Sequence, residues 1–125
     1  MVKFKKQVNI LGTKYRIEIH KMSKDKYMKD KGFAGYCSEE RKLIVVADMS
    51  EREYFGGLDE IEKEIYARSC LKHEIVHAFL NESGLSDNAN QINSAWAKNE
   101  EMVDWIALQG AKIYRAWQEA GAIEV

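Results

Sequence analysis

Apolar and polar residues alternate from Phe4 to His20. Val8 and Ile10, then Tyr15, Ile17 and Ile19, are interleaved with Gln7, Asn9, Lys14, Arg16, Glu18 and His20. Period two is the signature of a half-buried strand, and Leu11-Gly12-Thr13 interrupts it with a turn, so this stretch predicts a β-hairpin. Lys21 to Lys31 is mostly charged, with Met22, Tyr27 and Met28 as apolar anchors, and reads as an exposed connection with room for one helical turn. Gly32 to Cys37 and Lys42 to Ala47 predict a second hairpin turning at Ser38–Arg41. Its second strand, Leu43-Ile44-Val45-Val46-Ala47, is continuously apolar, as in a strand covered on both faces near a sheet centre. Asp48 to Gly57 reads as a loop.

The period then changes from two to three-and-four. Ile61, Ile65, Tyr66, Ser69, Cys70, His73, Val76, His77 and Leu80 share one stripe of a helix running from Asp59 to Glu82. Asp59 and Glu62 have the spacing of a capping box, and Gly84 stands where a glycine ends a helix. Gly84 to Asn93 is a polar loop. A last helix is predicted from Ser94 to Ala120, with Trp96, Met102, Val103, Ile106, Ala107, Gly110, Ile113, Tyr114 and Trp117 on one side; Gly121 to Val125 is a short tail. The pattern is α+β: a small, mainly antiparallel sheet of two hairpins packed against two long helices.

Composition narrows the class. The chain has 125 residues, 46% hydrophobic and 31% charged, which fits one globular domain over 1–125. A formal net charge of −1 argues against nucleic acid or an anionic membrane as the partner. No apolar segment follows the basic start Lys3-Phe4-Lys5-Lys6, and no apolar run approaches the length of a membrane span. Cys37 and Cys70 make no disulfide framework, so a cytoplasmic setting is expected.

The chemistry is concentrated in His73-Glu74-Ile75-Val76-His77, an H-E-x-x-H motif inside the first long helix. Residues four apart stack on one helix face, so His73 and His77 can offer two imidazoles to one tetrahedral ion. Glu74 projects beside the ion, where a carboxylate can take a proton from an activated water. The alternative is two half-buried histidines around a surface glutamate. Histidines on a core stripe need partners for their nitrogens, and a metal is the simplest one.

A catalytic zinc site takes a third protein ligand. The remaining histidine, His20, ends a distant strand. In Asn99-Glu100-Glu101-Met102-Val103-Asp104, Glu100 falls about 90° from the centre of the apolar face, whereas Glu101 points about 170° away. Glu100 is therefore the expected ligand and Glu101 the alternative. Asp104, one turn on, could accept the second N–H of a ligand histidine. Otherwise these acids only complement the helix dipole. Cys70, one turn before His73, is a conceivable thiolate ligand but reads better as a buried thiol. Tyr36, Tyr66, Tyr114 and His20 are candidate oxyanion donors, each with an ordinary packing alternative. Trp105 falls off the apolar stripe and hints at contact with another chain.

His73-Glu74-x-x-His77 followed by Asn99-Glu100-x-x-x-Asp104 resembles the gluzincin pattern of thermolysin-type zinc peptidases. The small size, the two hairpins and Leu71-x-His73-Glu74-x-x-His77-Ala78 are similar to the minimal zincin domains of phages and mobile elements, related to the ImmA/IrrE metallopeptidases. The resemblance covers about Gly32 to Gly110. It implies a zincin-like fold and a zinc-dependent endopeptidase. His73, His77 and Glu100 would hold Zn²⁺, Glu74 would be the general base, and Asp104 would orient a ligand. A protein or peptide, in the known members a repressor-like regulator, would be the substrate, pairing with the hairpin of Tyr36–Val46. Glu101-Met102-Val103-Asp104-Trp105 replaces the family's Glu-Ala-Asn/Asp-x-Phe, which keeps Glu101 open as the ligand. Two other classes remain: a zinc-stabilised protein-binding module with vestigial or partner-dependent activity, and a structural domain with a chance motif.

Overall fold

The computed structural model describes residues 2–85 and 99–123. Among these residues the fold is α+β, a four-stranded mixed sheet with four helices. The first hairpin is β1 (Gln7–Ile10) and β2 (Thr13–His20), paired antiparallel. Leu11 and Gly12 both take positive φ, 49° and 90°, as a two-residue primed turn requires. Asn9 Oδ1 accepts from the Gly12 N–H at 2.8 Å.

The charged connection is more structured than its composition suggests. A 3₁₀ turn at Met22–Lys24 leads into helix α1 (Lys26–Lys31), and Met22 and Met28 are buried. Asp25 caps α1 by accepting from the Met28 N–H at 3.0 Å. Gly32 ends α1 in the left-handed region instead of opening a strand, so the next strand, β3, starts later and spans Gly35–Ser38. It pairs antiparallel with β4 (Leu43–Ala47). The predicted loop after β4 contains a short helix, α2 (Arg52–Phe55), which buries Phe55 against the core.

Sheet order is β1-β2-β4-β3. The two hairpins are joined by a parallel pairing of β2 with β4, so the sheet is mixed. All five β4 residues are buried, and its central place accounts for the unbroken apolar run. Ile44, Val45 and Val46 are fully enclosed, worth about 1.5–3 kcal/mol each by burial. The two edges are β1 and β3.

Helix α3 (Glu60–Glu82) starts at the expected capping box, and Gly84 follows it at φ 75°. Its buried face matches the predicted stripe only in its second half. Ile61, Ile65 and Tyr66 are exposed, whereas Ala67, Glu74 and Ala78 are buried and Cys70, Leu71 and Ile75 pack on the core. Small alanines on the sheet-facing side allow close approach, and Ile61 and Ile65 in the first half of the helix face outward. Helix α4 (Glu100–Glu119) starts at Glu100 rather than Ser94, capped by Asn99 Oδ1 accepting from Met102 N–H at 2.8 Å. The predicted turn from Ser94, with Trp96, and most of the loop before it lie outside the described residues. In α4 only Val103 is buried, and Tyr114 and Trp117 of the predicted stripe are exposed among the described residues. No helix among the described residues is long and apolar enough to cross a membrane.

Candidate metal centre

Helix α4 lies against α3 so that its first turn meets the second half of α3. The four-residue spacing stacks His73 and His77, with ring centroids 4.7 Å apart and Nε2 atoms 3.1 Å apart. Glu100 reaches both rings. One carboxylate oxygen is 2.9 Å from His73 Nε2, and the other is 2.9 Å from His77 Nε2. Asp104, one turn on, accepts from His73 Nδ1–H at 2.6 Å. Glu101 is exposed on the far side of the helix.

That hydrogen bond to Asp104 places a proton on His73 Nδ1. With the proton on Nδ1, neutral His73 presents a lone pair at Nε2. This lone pair faces His77 Nε2 and a Glu100 carboxylate, itself only an acceptor when ionised. Neutral rings leave this convergence one proton short, which either protonation of His73, whose pKa is raised, or a cation between the atoms supplies. Ligands about 2.0–2.1 Å from a tetrahedral zinc lie roughly 3.3–3.4 Å from one another. The observed separations of 2.9–3.1 Å come close to that spacing. The donor set thus fits Zn²⁺ in chemistry and in scale.

Burial lowers the His77 pKa below the ordinary histidine value, with Glu100 opposing and His73 reinforcing the shift. Burial also pulls His73 down, but Glu74, Asp104 and Glu100 outweigh it, and its pKa is raised. Glu74 is not a surface residue: it is 7% exposed, beneath β3. Burial pushes its carboxyl up to about 7, opposed by His73 and reinforced by Glu100 and Asp104. One carboxylate oxygen of Glu74 and a ring nitrogen of each histidine lie within 4.8 Å of one another.

The site opens into a cleft of about 820 Å³ between β3 and the two helices. Tyr27, Gly35, Tyr66 and Asn81 line it beside the histidines and acids. Of the candidate oxyanion donors, Tyr36 lines the cleft, but its hydroxyl and the His20 ring are engaged with carboxylates. Tyr36 OH donates to Asp25 at 2.8 Å, and both His20 nitrogens meet carboxylates. Tyr114 is exposed on α4. Tyr66 lines the cleft with its hydroxyl beside the Cys70 thiol. Burial, with Glu74 adding, pushes both cysteine thiols up to about 12, which disfavours the thiolate a ligand would need. Sequence reasoning missed Gly35, whose backbone passes over Glu74; a lone glycine in a short strand gave no signal.

No protein-family model, curated protein or solved structure gives a match to this chain.

Proposed function

We propose that this chain is a zincin-like, zinc-dependent peptidase that hydrolyses protein or peptide substrates. The observation that carries the proposal is the convergence of His73 Nε2, His77 Nε2 and the Glu100 carboxylate within 3.1 Å, beside a buried glutamate. Those three residues would hold the ion, and Asp104 would fix the His73 tautomer. Zinc, when bound, supplies Lewis acidity and acidifies a water at its remaining position.

Glu74 moves the proton. A carboxyl raised to about 7 stands near the optimum for accepting a proton from water and returning it to a leaving amine at neutral pH. The cleft supplies the approach. Edge strand β3 has unpaired backbone groups along one side, to which an extended peptide can add as a further strand.

The test is Glu74→Gln, with labelled casein as the probe. The variant should bind zinc like wild type while hydrolysis falls by about three orders of magnitude or more. Equal hydrolysis by the two proteins would refute the assignment. A second reading, a zinc-stabilised protein-binding module, is favoured by Trp105, Leu108, Tyr114 and Trp117, exposed along α4 among the described residues. It predicts no hydrolysis and a biological effect unchanged in Glu74→Gln.

A further inference from the structure

We propose that Gly35 is the positioning residue for Glu74, kept free of a side chain so that the carboxylate can lie under the edge strand and stay open to the cleft. The inference rests on the peptidase reading for its functional consequence, though the contact itself does not. Gly35 has no positive φ, so backbone conformation does not demand glycine there. Space does. A Cβ built at Gly35 would crowd the Val45 carbonyl oxygen at 3.1 Å, and the way out of that contact is closed by Glu74, whose Oε2 and Cγ it would already touch at 3.4 and 3.6 Å.

A methyl group at this position would therefore rest on the carboxylate oxygen. It could not yield in the other direction, because the backbone of β4 closes that side. Larger side chains would drive the carboxylate away from the histidines. No hydrogen bond from another described side chain holds Glu74 in place, so its position depends on the surrounding surfaces. Gly35 and Glu74 are 39 positions apart in sequence, and the packing of α3 under the edge of the sheet brings them together.

The experiment is a double-mutant cycle on the full chain, Gly35→Ala against Glu74→Ala, read by urea unfolding. Gly35→Ala should lower the midpoint by roughly 0.5–1 M in wild type. In the Glu74→Ala background the drop should be less than half as large, because the methyl enters space that the carboxylate has left. Equal drops in both backgrounds would overturn the proposal and leave Gly35 as a glycine required only by the strand. If Glu74→Ala does not fold, Glu74→Ser provides the second short side chain.

The kinetic arm uses labelled casein. Gly35→Ala should reduce kcat by about a hundredfold, with KM and zinc content unchanged, as expected for a displaced catalytic group. A kcat equal to wild type would overturn the positioning role. If wild type cleaves nothing, the peptidase reading fails, and the unfolding cycle still decides whether Gly35 sets the place of Glu74.

Discussion

Two histidines of this protein lie between carboxylates, on opposite faces of one sheet. His20 donates through Nδ1 to Asp25 at 2.7 Å and through Nε2 to Glu18 at 2.8 Å. Burial lowers its pKa, but the two carboxylates outweigh that and raise it. Asp25 is spoken for as well. Burial raises its pKa, but His20, the Met28 N–H and the Tyr36 hydroxyl together hold it below the ordinary value. Each partner in this cluster meets its complement, so it closes on itself as a structural knot joining β2, α1 and β3. His73 begins in the same way, with Nδ1 on Asp104, but its Nε2 faces another imidazole and another carboxylate. A histidine flanked by acids is thus not in itself a metal ligand; a second imidazole, His77, brought onto the same carboxylate marks the difference.

The largest effect should separate the two clusters outright. His77→Ala should abolish stoichiometric zinc binding, while His20→Ala keeps about one equivalent per chain by elemental analysis. Loss of zinc in both variants would erase the distinction.

Asp104→Asn is the next step down. It should weaken zinc affinity by about 10- to 100-fold in a competition titration with a chromophoric chelator, without changing stoichiometry at saturation. An unchanged affinity would mean that Asp104 does not set the His73 tautomer.

The smallest effect is on stability, on the far face. Asp25→Ala removes a helix cap and two side-chain partners and should cost about 2 kcal/mol in urea unfolding. The contribution should depend on pH. Raised His20 makes it complete below about 6.5 and lost as pH rises through the folded value; lowered Asp25 makes it complete above about 4 and lost as pH falls. The stability difference between wild type and Asp25→Ala should therefore peak between about pH 4 and 6.5. A difference independent of pH would contradict an ionic cluster.

Much of this arrangement is legible in local sequence. The Leu11-Gly12 turn, the Asp59–Glu62 capping box, the buried run of β4 and the inward angle of Glu100 each follow from periodicity or cap chemistry within a few residues. What local pattern conceals is set by partners far along the chain. The parallel pairing of β2 with β4 has no turn to announce it. Helix α1 depends on Asp25, whose cap, histidine and tyrosine partners meet only in the fold. Ile61 and Ile65 suggested the buried face of α3, but Ala67 and Ala78 form it, because approach to the sheet selects for size as well as hydrophobicity. The motif predicts Glu74 projecting beside the ion, or else as a surface glutamate, and the edge strand buries it.

The most direct test is zinc content after chelation and reconstitution, on wild type beside Glu100→Ala and Glu101→Ala. About one zinc per chain is expected in wild type and Glu101→Ala, with little or none retained by Glu100→Ala. A wild-type protein without tightly bound zinc, or Glu100→Ala binding it as well as Glu101→Ala does, would contradict the assignment of His73, His77 and Glu100 as the metal centre.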